Sequence, residues 1–428
     1  MLSTKDNGRE ADGDAWLDVT APGTGRRSAI IVGAGVVGMA SAYALARRGV
    51  AVTVVERRAA AGCEASFANG AQLSYAYTDA LASPALMRHL PAVLLGLDPA
   101  IRLRPALDPD HLAWLLRFVR NATPRRFMAN TLGGLELGLE SQRAMHALLQ
   151  RHRLDFGHNT TGKLHVHAND KSLAAAAAMV MAKRAHGAEQ QVLSAADAIA
   201  LEPTLADHAR FAGAVFTPGD EVGDPQRFCT AMTALLQRDY GVTFRFCTTV
   251  ATIDEACGQA CVETTSGERL TADDLVICAA IGTGPLAARF GLGSLLMPIK
   301  GYSFTAPAGA AGLRVSVTDV ARKIVFCPLA GKIRVAGLAE IGARSTTVDP
   351  AALERLRSGA RASLPNAANY EQIGPGWAGI RPMMASSFPR IGRVSPRIAV
   401  NIGHGMLGWT YSMGSAERLA RVVLENVE

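Results

Sequence analysis

Three glycines, Gly33, Gly35 and Gly38, stand at G-x-G-x-x-G spacing in the stretch IIVGAGVVGMASA (residues 30–42). Between a strand and a helix, the first glycine permits a tight turn and the second lets the backbone approach a pyrophosphate. The third lets helix and strand pack closely. The helix N-terminus adds free N–H groups and the positive end of a dipole, both suited to phosphate. Glu56 follows about twenty residues later, where a carboxylate grips an adenosine ribose. These residues point to a dinucleotide. A second glycine-rich stretch, NIGHGMLGWTYSMG (residues 401–414), also feeds a helix, almost a whole chain away.

Other residue clusters carry less. The seven cysteines (63, 229, 247, 257, 261, 278 and 327) are odd in number and irregularly spaced, which argues against a disulfide framework and for a reducing compartment. Cys257 and Cys261 have no second pair nearby. His165 and His167 in KLHVH share one face of a strand and read as ordinary strand residues, so no metal site is expected. The net charge of +7 is spread along the chain with no Lys/Arg tract, which argues against a nucleic-acid binder. No apolar run approaches the ~20 residues of a membrane span. Arg26-Arg27 before an apolar run mimics a twin-arginine signal, but that run is the first strand of the fold.

The elements that position these residues follow from periodicity. Residues 28–58 read as strand, helix and strand, a βαβ unit. Residues 1–27 are polar and read as a disordered tail. Residues 83–124 carry six prolines among short amphipathic pieces and look like an inserted domain or lid. Helices are expected over 135–153, 173–187, 225–240 and 411–427. Alternating stretches such as GKLHVHA, IKGYSFTAP and RKIVFCPLAGKIRVAGLAE predict a second, mostly antiparallel sheet. The expected fold is α/β: a Rossmann-like domain interleaved with an α+β domain. The first takes residues 28–85, 190–212, 225–296 and 373–428, and the second takes 86–189, 213–224 and 297–372.

Two further stretches separate FAD from NAD. TSGERLTADDLVICAAIGTG (265–284) resembles the second strand-and-glycine element of flavoproteins related to glutathione reductase, and NIGHGMLGWT resembles their C-terminal element, which meets the flavin ring. In order along the chain stand EASFANGAQLSYAY, GDEVGDPQRF, PIKGYSF, WAGIRPM and GHGMLGWT. With GAGVVG these resemble the D-amino acid dehydrogenase (small subunit) branch of the D-amino acid oxidase-like flavoproteins, over about residues 29–420.

The resemblance implies a bacterial enzyme with non-covalent FAD that oxidises D-amino acids by hydride transfer from Cα to flavin N5. The products are 2-oxo acids and ammonia, and electrons pass to a quinone or another acceptor. A cytoplasmic location is implied, peripheral on the inner face of the membrane. An oxidase using oxygen, a dehydrogenase for a secondary amino acid, or a flavin-binding protein without turnover are the alternatives.

Residue by residue, the resemblance places Gly33, Gly35, Val36, Val37, Gly38, Glu56 and Arg57 at the phosphate and ribose end of the cofactor. Ser66, Asn69, Gly70 and Gln72 would line its phosphates or ring edge. Val250, Ala280 and Gly282 complete the nucleotide side, and Gly403, Gly405, Met406, Leu407, Gly408 and Thr410 the ring side. Arg381 would take the substrate carboxylate, since its planar fork suits bidentate contact. Tyr302 and Tyr77 would face the substrate, Lys300 would lie near the flavin, and His404 would position its loop. The family's T-P-D-G-x-P turn is replaced here by Met384-Ala385-Ser386-Ser387-Phe388-Pro389, which puts substrate range and rate in question. No Cys or His occupies this loop, so no covalent flavin link is implied.

Overall fold

The strand Ser28–Val32 is apolar after its first residue and buried on both faces, the pattern of a central parallel strand. In the computed structural model, which describes residues 26–104, 108–208 and 210–425, it lies inside a six-stranded sheet. The order is Arg390–Arg393, Ile398–Ile402, Asp274–Ile277, Ser28–Val32, Ala51–Val55 and Thr243–Arg245, with only the first strand antiparallel. The helix Val36–Ala46 is apolar all round because it is packed all round. It touches the helices Pro225–Tyr240 and Gly408–Glu425, and the latter also packs on the long helix Pro124–Arg151.

A nine-stranded sheet forms the second layer. Its order runs Trp377–Met384, Leu296–Pro307, Lys332–Ile341, Ile324–Leu329, Ser316–Asp319, Lys163–His167, Gly213–Thr217 and Gln191–Ser194. The short strand Ile101–Leu103 pairs with Lys332–Ile341. It is mostly antiparallel, and one face carries its own core around Tyr302, Phe304, Phe326 and the helix Pro350–Ser363. The chain is thus α/β, with a parallel sheet and a larger, mostly antiparallel one.

Several boundaries differ from the sequence reading. Gln191–Ser194 and Trp377–Met384, expected with the nucleotide-binding segments, hydrogen-bond in the nine-stranded sheet. Trp377–Met384 is a WAGIRPM stretch whose register with Leu296–Pro307 runs unbroken from Trp377 to Met384, and pairing that extensive outweighs its nearness in sequence to the final strand and helix. The long helix, expected from residue 135, starts at Pro124 behind a Thr123 cap. Its Ala144, Met145 and Leu148 join the core of the parallel layer rather than that of the large sheet. The described residues of the segment 83–124 form the helices Pro84–Leu94 and Pro109–Asn121, with the strand Ile101–Leu103 between them. Of the expected tail 1–27, residues 1–25 lie outside the described residues. Arg26 and Arg27 are anchored, Arg27 by a 2.6 Å ion pair to Asp274.

Candidate active site

A cavity of about 1670 Å³ lies between the two layers and runs from Gly33 to the turn at Gly403–Gly408. Its phosphate end is built from backbone. Gly33 has φ +106°, and a Cβ there would stand 2.7 Å from the Cys278 carbonyl. A Cβ at Gly38 would overlap the Gly33 carbonyl. The helix Val36–Ala46 has no side-chain cap and no acid in its first turn, and Glu56 accepts from Ala34 N at 2.8 Å at the strand end beside it. A helix start that its own N-cap residue leaves without a side-chain cap, an adjacent carboxylate and a long cavity fit a dinucleotide pyrophosphate and ribose.

The EASFANGAQLSYAY stretch forms the next wall, laid across the nine-stranded sheet. Ser66 Oγ accepts from Val36 N at 3.1 Å. Five successive strands then hold the residues that follow. Ser303 bonds the Ala68 carbonyl, Arg334 the Asn69 carbonyl (3.2 Å), and the Cys327 thiol the Ala71 carbonyl (3.6 Å). Gln72 bonds Ser316, and Lys163 bonds Ser74 (2.7 Å). Sequence reasoning identified the stretch but not its role as a crosspiece, since its partners in the sheet lie up to 265 residues away.

The opposite end carries the site's main charge. The strands Leu296–Pro307 and Trp377–Met384 pair Ile299 with Arg381 and Gly301 with Gly379, which places Arg381 on the cavity face. Its guanidinium lies over Gly301, where a Cβ would collide with it. The strand Lys332–Ile341 shifts register opposite, and Leu338 takes φ +59°. The Leu338 carbonyl accepts from Arg381 Nη1 at 3.1 Å. Among the described residues no carboxylate lies within ion-pair distance of Arg381. Burial lowers its pKa to about 10, so it remains a cation at neutral pH.

The cavity brings together most of the residues expected there. It is lined by Gly33, Gly35, Val36, Val37, Glu56, Arg57, Ser66, Asn69, Gly70, Gln72 and Tyr77. Val250, Ala280, Gly282, Arg381, Gly403, His404, Gly405, Met406, Leu407 and Gly408 also line it. Burial lowers the His404 pKa to about 3, and its Nε2 meets Ser415 Oγ at 3.0 Å, so the ring is neutral and fixed within its loop.

Four expected residues stand apart. Gly38 packs behind the wall against Gly33, and Thr410 accepts from Ser74 N at 3.0 Å. Lys300 projects away from the cavity and donates to the Thr347 carbonyl at 2.5 Å. Tyr302 touches the cavity, but its hydroxyl donates to Glu340 at 2.8 Å and its ring joins the core beyond the sheet. Strand alternation explains both: with Gly301 and Ser303 facing the cavity, residues 300 and 302 face away.

The altered turn survives in another form. Ser387 adopts φ +63°, its N–H bonds the Met384 carbonyl, and its Oγ accepts from Leu81 N at 2.9 Å. Sequence reasoning missed the cavity walls at Thr318, Val325 and Ala336, and it set aside His165. The alternation of KLHVH was the available signal. Lys163, His165 and His167 do share the cavity face.

Comparison with known proteins fits this geometry. A family model described as DAO, FAD dependent oxidoreductase, matches residues 28–422. A D-amino acid dehydrogenase 2 of Ralstonia nicotianae is 37% identical over 406 residues, covering 92% of this chain and 95% of the relative. One of Pseudomonas aeruginosa is 36% identical over 400 residues, covering 92% and 94%. The crystal structure of glycine oxidase from Geobacillus kaustophilus superposes with a TM-score of 0.73 at 22% identity, over 95% of this chain and 96% of that one.

Proposed function

This chain belongs to the DAO family of FAD-dependent oxidoreductases, in the group of its D-amino acid dehydrogenase relatives, and from that premise we propose that it oxidises a D-amino acid at Cα. The imino acid formed hydrolyses to a 2-oxo acid and ammonia, and the electrons pass to a quinone or similar acceptor. FAD, when bound, supplies the hydride acceptor at N5.

The observation that carries this reading is Arg381, a cation on the cavity wall with a carbonyl for a partner and no carboxylate. A desolvated charge is costly unless paired, so the site favours an anionic group. The α-carboxylate of an amino acid supplies one, and the free edge of the guanidinium can receive it. Leu338 fixes the fork from one side, which orients the substrate. His404 is held neutral and bonded to Ser415, so it takes no proton from the substrate. The substrate therefore reacts as its neutral amine, having lost its proton to solvent.

The helix starting at Gly408 directs its N-terminus toward the turn that lines the cavity, and its dipole favours negative charge there. Contact with a membrane surface is supported by an apolar stripe. Leu112, Leu116 and Val119 are each more than half exposed along one helix, and Leu94, Leu95 and Leu97 are exposed at the end of another. Among the described residues no helix is long and apolar enough to cross a membrane. Sedimentation with anionic vesicles checks the contact, and protein left in the supernatant removes it.

Anaerobic titration with D- and L-alanine tests the reaction. The yellow absorbance should bleach with the D-isomer only, and Arg381→Ala should stay yellow and unbleached. Equal bleaching by both isomers, or a colourless protein that FAD does not reconstitute, would overturn the reading.

A further inference from the structure

The cavity face of the nine-stranded sheet carries two adjacent rows of residues in register. In the first, Arg334, Cys327, Ser316 and Lys163 are all bonded to the crosspiece at residues 68–74. The second runs Ser303, Ala336, Val325, Thr318, His165 and Val215, each paired with the next across neighbouring strands. Here two polar side chains stand side by side. Among the described residues Thr318 Oγ1 makes no hydrogen bond, and the His165 ring has only the Val215 backbone beside it, which leaves one ring nitrogen open. Thr318 is 6% exposed and His165 1%, and both line the cavity. Tyr77 stacks on the His165 ring at 3.7 Å between centroids, which fixes the ring and leaves its edge for a ligand. Buried polar groups are nearly always bonded in native proteins, so a pair left open toward a cavity marks a binding position.

Resting on the reading that Arg381 holds the α-carboxylate, we propose that Thr318 and His165 bind the end of the substrate side chain and select a long one ending in a neutral carboxamide, as in D-glutamine. Distance sets the length. Two interstrand steps of about 4.8 Å separate the strand of Leu338, which anchors Arg381, from that of Thr318, and three from that of His165. Alanine stops short of this pair, whereas a glutamine-sized side chain spans the gap.

Charge sets the polarity. The nearby lysines are balanced, Lys183 by Asp79 at 2.6 Å and Lys163 by the field of Asp220. Burial pushes Lys163 down and Asp220 up, so wherever their proton sits the pair is neutral overall. Burial, then Lys163, His167 and Lys183, holds His165 well below its usual pKa and therefore uncharged. With its N–H toward the Val215 backbone, the neutral imidazole offers an acceptor nitrogen, and the threonine hydroxyl offers one O–H and two acceptor lone pairs. A carboxamide, with its carbonyl and two N–H groups, meets that set without bringing a charge.

Two measurements on the FAD-loaded protein decide this. In turnover, D-glutamine should exceed D-methionine, of similar length, by about tenfold in kcat/KM, the scale of one buried hydrogen bond with its desolvation. D-lysine and D-glutamate should fall below it. Thr318→Val and His165→Phe should each remove about that tenfold for D-glutamine and leave D-alanine within about threefold.

In binding, glutaramate has the carboxylate and carboxamide but no amine to oxidise. It should perturb the flavin spectrum at lower concentration than hexanoate, and Thr318→Val should erase the difference. Preference for D-methionine or D-glutamate, or a Thr318→Val loss equal for all substrates, would overturn the side-chain site while D-alanine turnover left the substrate class standing. Silence with every D-amino acid, D-alanine included, would overturn both.

Discussion

The two ends of the cavity are built from different materials. The phosphate end is backbone: a turn, a helix start and a strand end within residues 28–56, held by contacts that no side chain there supplies alone. The proposed substrate end is side chains: Arg381, Thr318 and His165 come from three strands spread over more than 200 residues of the chain and meet only through sheet register. A backbone site tolerates many sequences but no added atom at its close contacts. A side-chain site tolerates drift around it but depends on single groups.

The sharpest break in that contrast should come from Gly38→Val. The new side chain would drive into the Gly33 carbonyl, part of the backbone and unable to move aside, at a cost of several kcal/mol on the order of the severest single substitutions. Flavin content, read as the visible-to-ultraviolet absorbance ratio, should approach zero, and a normally yellow variant would show that the turn is less constrained than its geometry implies. Arg381→Ala comes next. Removing the partner of a desolvated carboxylate should lower kcat/KM by about 10²- to 10³-fold while flavin content stays normal. A variant that lost FAD as readily as it lost turnover would mean that the two ends are not separable.

A pH profile sharpens the same distinction. The Arg381 cation is complete near neutrality and is lost as pH rises through about 10. kcat/KM should therefore climb as the substrate ammonium deprotonates, then fall about tenfold per unit above pH 10. FAD retention should not follow that falling limb, because the phosphate end rests on backbone. The smallest effect is expected at Ser387→Ala, at a residue that does not line the cavity. Leu81 N would lose its acceptor, worth about 1 kcal/mol in thermal or denaturant unfolding, with kcat/KM changed less than about twofold.

The difference in material also decides what could be read without a structure. Gly33, Gly35, Gly38 and Glu56 were legible because turn, helix start and strand end follow one another in the chain, and local sterics demand those residue types. The helix Pro225–Tyr240 matched residue for residue, with Asp224 as its cap and Gly241 closing it in the left-handed conformation. Arg381 was legible as a type within WAGIRPM but not as a cation without a carboxylate beside it, since that depends on where every acid of the other described elements falls. Tyr302 and Lys300 went astray for a simple reason. Their strand was recognised, but which alternate set faces the cavity is fixed by Gly301 lying beneath Arg381.

By itself, then, the sequence determined the βαβ unit, the dinucleotide chemistry and the family pattern, because each rests on neighbours in the chain or on motifs read as strings. Only the tertiary structure decided that Trp377–Met384 joins the large sheet and that residues 66–74 cross five strands. It alone set Thr318 and His165 side by side with polar atoms open to the cavity. Strand order and register bring distant residues together through hydrogen bonds that any backbone can make, so the side-chain pattern of one strand cannot reveal its neighbour.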